Sequence, residues 1–269
     1  MQLPECRILL TGASGGIGLP LVEQLCAGGA QVLAVARDTS ALQPLVARFG
    51  AGLRLLDADL TLRPDRQAVL AEASRGQGVN VLLNAAGSNR FALLEALDED
   101  AIDAMLAVNI GAAIQLTRLL LPLLRRQPRA VIAHIGSTLG SIGYPGYAPY
   151  CASKFALRGF TQALRRELAD TRIRVLYVAP RATRTAMNSP AAMALNQALK
   201  SPVDEPAAVA GAVVRALVED RQELYLGWPE KLFVRLNGLL PGLVDRALRR
   251  QLPVIRRFTD TPLVPEKRP

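Results

Sequence analysis

Short runs of aliphatic and β-branched residues alternate with longer stretches whose apolar positions recur at helical spacing. The runs Cys6–Thr11, Gln31–Arg37, Leu53–Asp57, Val79–Asn84, Ala130–Gly136, Ile173–Ala179 and Glu223–Leu226 predict seven strands. Helical patterns lie between them, near 16–28, 40–49, 64–75, 98–125, 148–170 and 204–218. Strands separated by helices of this size form βαβ units and a parallel sheet. The run Val79-Asn80-Val81-Leu82-Leu83 is nearly all apolar, as suits a strand covered on both faces. Right-handed crossovers then give a doubly wound α/β sheet with helices on both faces. No linker divides the chain before about residue 200; beyond it Pro202, Pro206, Pro229, Pro241 and Pro253 predict a less regular C-terminal part.

Composition narrows the setting. Half of the 269 residues are hydrophobic, enough to enclose a core in one large α/β domain. Cys6, Cys26 and Cys151 are scattered and odd in number, fitting neither a disulfide framework nor a metal-ligand spacing. The single histidine, His134, lies in an apolar run and reads as a core strand residue, so no metal site is expected. Met1 to Glu5 is short and polar, unlike a signal peptide, and a cytoplasmic location is expected. The longest uncharged stretch, 130–153, is interrupted by Gly, Pro and Ser and does not read as a spanning helix. The formal charge is +9, with Arg supplying 28 of the 32 basic residues. No stacking-aromatic or recognition-helix motif accompanies that charge, so nucleic acid is not an expected partner.

The first strand pattern ends in Thr11-Gly12-Ala13-Ser14-Gly15-Gly16-Ile17-Gly18, and a helix follows. Glycines there let the backbone turn tightly and approach a pyrophosphate, while the helix N-terminus offers N–H groups. The spacing is one residue longer than the usual dinucleotide fingerprint. The second strand ends at Arg37, where NAD-binding sheets commonly carry a carboxylate for the ribose 2′-hydroxyl. A guanidinium suits a 2′-phosphate instead, which favours NADP(H) over NAD(H). Asp38, the next residue, is the competing feature: turned inward, it would select NAD.

Tyr150-Cys151-Ala152-Ser153-Lys154 places a phenol and an ammonium four residues apart, on one helix face. Ser137 lies thirteen residues before the phenol. An ammonium beside a phenol favours phenolate, so Lys154 is expected to lower the Tyr150 pKa from its usual value of about 10 and make it usable in acid–base chemistry.

Together these residues resemble the short-chain dehydrogenase/reductase family, over about 7–185. Thr11–Gly18 is similar to the family's Thr-Gly-x-x-x-Gly-x-Gly loop, in which Gly12, Ser14, Gly16, Ile17 and Gly18 would bind cofactor. Asp59 and Leu60 fall where the family contacts adenine. Asn84-Ala85-Ala86-Gly87 resembles the family's Asn-Asn-Ala-Gly segment, with Ala85 in place of the second Asn. Pro180, Thr183 and Thr185 match the Pro-Gly-x-x-x-Thr segment beside the nicotinamide, with Arg181 replacing its Gly. That bulky cation is expected either to shift the loop or to project into the site.

The resemblance implies a seven-stranded Rossmann fold of strand order 3-2-1-4-5-6-7, a catalytic unit over 1–228, and a substrate loop near 183–203. It also implies a reaction. Hydride passes between NADP(H) and a carbonyl or alcohol; Tyr150 is the proton donor, Ser137 orients the substrate oxygen, Lys154 holds the nicotinamide ribose, and Asn109 anchors a water beside Lys154. The helices near 98–125 and 148–170 pair subunits in related proteins, so a homodimer or homotetramer is expected. Ala186, Met187, Ala191, Ala192, Met193 and Leu195 make the substrate loop apolar, and 143–147 supplies a second wall. A lipophilic ketone or aldehyde fits best.

Residues 229–269 hold nine basic and four acidic residues, hence +5 of the net charge. An apolar stripe from Leu232 to Leu248 runs at helical period, with Lys231, Arg235, Arg246, Arg249 and Arg250 mostly off it. Gly238, Pro241 and Gly242 predict two helices or a kinked one. Two readings of the stripe stand: packing on the domain, a neighbouring subunit or the cleft, or contact of 229–258 with a membrane surface. Two rival functions also stand: an epimerase or dehydratase using the same Tyr–Lys pair, and a cofactor-sensing protein without turnover. The first usually needs a larger C-terminal domain, and the second usually lacks the Tyr or the Lys.

Overall fold

A computed structural model describes residues 1–259; the last ten residues of the predicted extension, 260–269, lie outside the described residues. Seven parallel strands form one sheet: β1 (Arg7–Thr11), β2 (Gln31–Ala36), β3 (Leu53–Asp57), β4 (Val81–Asn84), β5 (Ala130–Ile135), β6 (Ile173–Ala179) and β7 (Glu223–Tyr225). Their order is β3-β2-β1-β4-β5-β6-β7. All seven predicted strands form, each within two residues of its expected bounds.

Strand alternation divides the core. Side chains at i and i+2 share a sheet face. Ile8, Leu10, Val32, Val81, Leu83, Val131 and Leu176 therefore point to one side, where they meet α1 (Gly18–Ala27), α2 (Gln43–Phe49) and α8 (Pro206–Val218). Leu9, Leu33, Leu82, Ile132 and Val175 point to the other. They meet α3 (Arg63–Ala73), α5 (Ala113–Arg125) and α6 (Ala148–Glu167). Burial on both faces explains why these strands are apolar throughout.

The helix expected over 98–125 is not uniform. α4 (Glu99–Leu106) and α5 are joined through a π-helical segment, Ala107–Ala112, that contains Asn109. Such widened turns concentrate at functional sites. The whole run Glu99–Arg125 is long and apolar enough to cross a membrane, yet Leu116, Leu120 and Leu124 are fully buried against the sheet.

The C-terminal part is more regular than its prolines suggest. Pro190, Pro206 and Pro241 are the first residues of α7 (Pro190–Ala198), α8 and α10 (Pro241–Thr259), where a missing N–H costs nothing. Pro229 caps α9 (Glu230–Leu239). Two helices thus follow β7 and break at Leu240, as Gly238 and Pro241 predict. α10 returns over the domain and packs beside α7.

Candidate active site

The crevice lies above the C-terminal ends of β1, β4, β5 and β6. Thr11 closes β1, and its Oγ1 accepts hydrogen bonds from the N–H groups of Ala85 (3.0 Å) and Ala86 (3.1 Å), tying β1 to the loop after β4. Gly12 then takes a left-handed conformation, φ 66°. A Cβ there would lie 2.7 Å from the Ala86 backbone, so only glycine fits both the turn and the approach. Ser14, Gly16 and Ile17 carry the loop into α1, whose first residue is Gly18 and whose N-terminus opens on this loop, the Leu19 N–H donating back to the Gly15 carbonyl at 2.9 Å. Gly16 lies against Thr185 closely enough that a Cβ would meet its Cγ2 at 2.4 Å. The glycine turn and the loop after β6 are thereby one wall, a cradle of backbone that fits a pyrophosphate.

At the outer end of the crevice, Arg37 follows β2 and is exposed. The neighbouring Asp38 accepts a 2.8 Å hydrogen bond from the Ser40 N–H, and this bonding holds its carboxyl below the usual carboxylate range. Asp38 is thereby committed to its own turn. Asp59 accepts from the N–H (2.9 Å) and hydroxyl (2.7 Å) of Thr61, which lowers its pKa, with a smaller contribution from the Arg37 charge. Leu60 is buried beside it.

The Asn84 side chain turns from the crevice into the core. Its Nδ2 donates into the core, 3.3 Å from Thr117 Oγ1 and 3.2 Å from His134 Nδ1. The reason is strand alternation: Asn84 shares a face with Leu82, which packs toward α5. Its side chain anchors β4, and the following Ala85, Ala86 and Gly87 form the crevice floor. As expected, His134 is a fully buried strand residue; burial, then the Lys154 charge, depress its pKa to about 3, so it is neutral.

Asn109, Ser137, Tyr150 and Lys154 come together, all buried. Asn109 Oδ1 accepts from the Ser88 N–H (2.7 Å), and its Nδ2 donates to the Ser88 carbonyl (3.0 Å) and to Ser153 Oγ (3.0 Å). Gly87 sits over both Asn109 and Lys154: a Cβ on it would lie 3.1 Å from Asn109 Oδ1 and 3.6 Å from Lys154 Nζ. Lys154 Nζ donates to the Ile135 carbonyl at 3.2 Å and lies 5.6 Å from the centre of the Tyr150 ring.

The expected lowering of the Tyr150 pKa by Lys154 is not what the folded chain shows. Burial dominates and pushes the phenol up to about 12, against the opposing hydrogen bond with Ser137. Lys154 is itself desolvated, to about 8, and stands over the ring with its proton shared with a carbonyl. The phenol is therefore held protonated, as a proton donor requires.

Two supporting groups escape a reading of the sequence. Tyr177 on β6 is fully buried, and its hydroxyl donates to the Ser137 carbonyl at 3.2 Å, fixing the segment that carries Ser137. Ser153 Oγ links Asn109 to the Tyr150 carbonyl, which it reaches at 2.7 Å. Helical spacing could have found Ser153, one residue before Lys154; nothing local distinguishes Tyr177 from a core aromatic.

Arg181 does not enter the site. Its guanidinium bonds Asp204 (3.0 and 2.7 Å) and Glu230 (3.2 Å), turning away from the crevice. The loop keeps its course: Pro180 accepts from Thr138 N–H at 2.9 Å, and Thr183 Oγ1 donates to the Arg181 carbonyl at 3.0 Å. Beside Tyr150 an apolar cluster gathers Phe91, Met105, Tyr147, Ala192 and Leu195 with Val254, Ile255 and Phe258 of α10.

Comparison with known proteins agrees with this geometry. The family model described as short chain dehydrogenase matches residues 7–195. Nodulation protein G of Rhizobium sp. (strain N33) is 37% identical over 188 residues, 69% of this chain and 76% of that protein. The 3-oxoacyl-acyl-carrier-protein reductase of Escherichia coli (strain K12) is 32% identical over 173 residues, covering 64% and 71% of the two chains. A short chain dehydrogenase from Burkholderia cenocepacia J2315, solved in complex with NADP, superposes with a TM-score of 0.79 at 28% identity, covering 92% of this chain and 99% of that one. A glycine-turn cradle, the assembled Ser, Tyr and Lys, the strand order and a family match over most of the chain lead to one conclusion: this protein belongs to the short-chain dehydrogenase/reductase family.

Proposed function

We propose that this protein is an NADP(H)-dependent oxidoreductase that interconverts a lipophilic ketone or aldehyde with its alcohol. The observation that carries the reading is the joining of Asn109 to Tyr150 through Ser153, with Ser137 bonded to the phenol and Lys154 over its ring, on the floor of the dinucleotide crevice. A bound nicotinamide cofactor supplies or accepts the hydride. The residues of the chain do the rest. Tyr150, protonated because it is buried, gives its proton to the carbonyl oxygen as negative charge grows there. Ser137 donates a second hydrogen bond to that oxygen and fixes its orientation. Lys154 is within reach of Gly87 and the crevice floor, where it would hold the ribose hydroxyls of the cofactor. Asn109, set by the π-helical segment, keeps Lys154 and the Tyr150 turn in register.

NADP(H) is favoured over NAD(H) by Arg37 and Asp38 together. The guanidinium is exposed at the end of β2, and the carboxylate that would repel a 2′-phosphate is bonded to Ser40. The apolar cluster beside Tyr150 supports a lipophilic substrate. It also supports α10, folded over the cleft, as part of the substrate enclosure. Pairing of copies through α5 and α6, by analogy with the family, completes the proposal. Steady-state oxidation of NADPH and of NADH against a panel of aliphatic and aromatic ketones and aldehydes tests it. The proposal expects turnover with NADPH and a preference for the more apolar carbonyls; no turnover with any carbonyl would leave the cofactor-sensing reading in its place.

A further inference from the structure

Helix α9 turns much of its apolar surface outward. Two of its polar residues look inward: Glu230 pairs with Arg181, and Asn237 Nδ2 donates to the Ser141 carbonyl at 2.9 Å, while Lys231 and Arg235 are exposed beside the apolar residues. Leu232, Phe233 and Leu239 are exposed at 49%, 43% and 79%. Trp228 precedes them at 70%, and Leu240 and Leu243 continue the ridge into α10. A helix packed on a water-soluble domain normally turns such large apolar side chains inward. Isolated exposed leucines are ordinary, but six large apolar side chains along one elbow mark an interaction surface.

The adjacent helix supplies the complementary half. α10 buries Val244 and Ile255 and leaves Arg246, Arg249, Arg250 and Arg256 exposed, with Asp245 its one acid. An apolar ridge therefore stands beside a basic face.

We propose that the α9–α10 elbow seats on an anionic lipid surface, with the ridge in the interfacial layer and the arginines against the headgroups. Charge decides the occupant. In a symmetric pairing of two copies the same patch meets itself, and the arginine faces would repel. An anionic bilayer satisfies both halves at once, since apolar burial and basic attraction add there. Through Ile255 the same α10 touches the cluster around Tyr150, so docking would hold the cover of that cluster against the lipid. This reading does not depend on which reaction the crevice performs.

The test is co-sedimentation of the full chain with phosphatidylcholine vesicles containing phosphatidylglycerol, and with phosphatidylcholine alone. Two variants accompany it: Leu232→Ser/Leu239→Ser/Leu243→Ser, and Arg246→Gln/Arg249→Gln/Arg250→Gln. Circular dichroism melting establishes that each is folded. We expect binding to the anionic vesicles only, weakened at least about tenfold in either variant and by added salt. Equal pelleting of parent and variants would overturn the proposal. So would failure of the parent to bind while the leucine variant falls from dimer to monomer in sedimentation velocity, since a second copy would then be the occupant.

Discussion

Asn109 and Ser153 are joined by a 3.0 Å hydrogen bond from amide to hydroxyl, and Ser153 passes it on to the Tyr150 carbonyl at 2.7 Å. The π-helical segment that carries Asn109 is thus locked to the helix that carries Tyr150 and Lys154. Removing the Ser153 hydroxyl should loosen that registration without touching cofactor or substrate. For Ser153→Ala we expect kcat to fall about ten- to a hundredfold, with the Kd for NADPH nearly unchanged. Stopped-flow turnover beside fluorescence titration of NADPH separates the two; an unaltered kcat would show that the link does not position the site.

Much of this arrangement is legible along the chain because it rests on local pattern. Apolar strands buried on both faces announce themselves, and so does a glycine turn between a strand and a helix. The spacing of Tyr150 and Lys154 is local as well. The parts that escape are long-range or ambiguous. Ala107–Ala112 has the composition of an ordinary helix, and its widening shows only in the backbone. The amphipathic stripe of α10 is compatible with any apolar partner, so its packing on the Tyr150 cluster is set by tertiary contacts alone. The direction of the Asn84 side chain follows from strand alternation: counting two residues from Leu82 places it toward α5. The Tyr150 pKa is not legible in the spacing: i, i+4 brings the ammonium near the ring, while burial of the phenol is a property of the whole fold.

In the proposed NADP(H) reading, cofactor choice turns on Arg37. A charged hydrogen bond to the 2′-phosphate contributes roughly 1.5–3 kcal/mol. Arg37→Ala should therefore weaken NADPH binding about ten- to a hundredfold and leave NADH binding nearly unchanged. Isothermal titration with both nucleotides checks this, and equal losses for the two would remove Arg37 from phosphate recognition.

Lys154 is held at the expense of stability. Burial lowers its pKa from 10.5 to about 8. At about 1.4 kcal/mol per unit, keeping it charged costs the fold roughly 3 kcal/mol at neutral pH. The penalty is complete below the folded pKa and fades as pH rises from about 8 toward the unfolded value, where both states are neutral. Lys154→Met should therefore raise stability at pH 7 while abolishing turnover, and the gain should shrink by pH 10. Urea unfolding across that range, without added nucleotide, is the measurement; a gain that does not depend on pH would point to packing instead.

Arg181 latches three segments, since Asp204 precedes α8 and Glu230 opens α9. Arg181→Gly supplies the glycine usual in the family but leaves both carboxylates without their cation. We expect a loss of about 1–3 kcal/mol in urea unfolding, whereas an unchanged midpoint would mean that the pairs contribute nothing net.

In the proposed reaction the Tyr150 hydroxyl is the proton donor at the reacting carbonyl. Tyr150→Phe keeps the ring in the apolar cluster and removes only that hydroxyl. Single-turnover oxidation of bound NADPH with an active carbonyl substrate, alongside the Kd for NADPH, isolates that proton transfer from binding. We expect a rate reduced by at least about a thousandfold with the Kd within about twofold; a rate within tenfold of the parent would remove Tyr150 from that role.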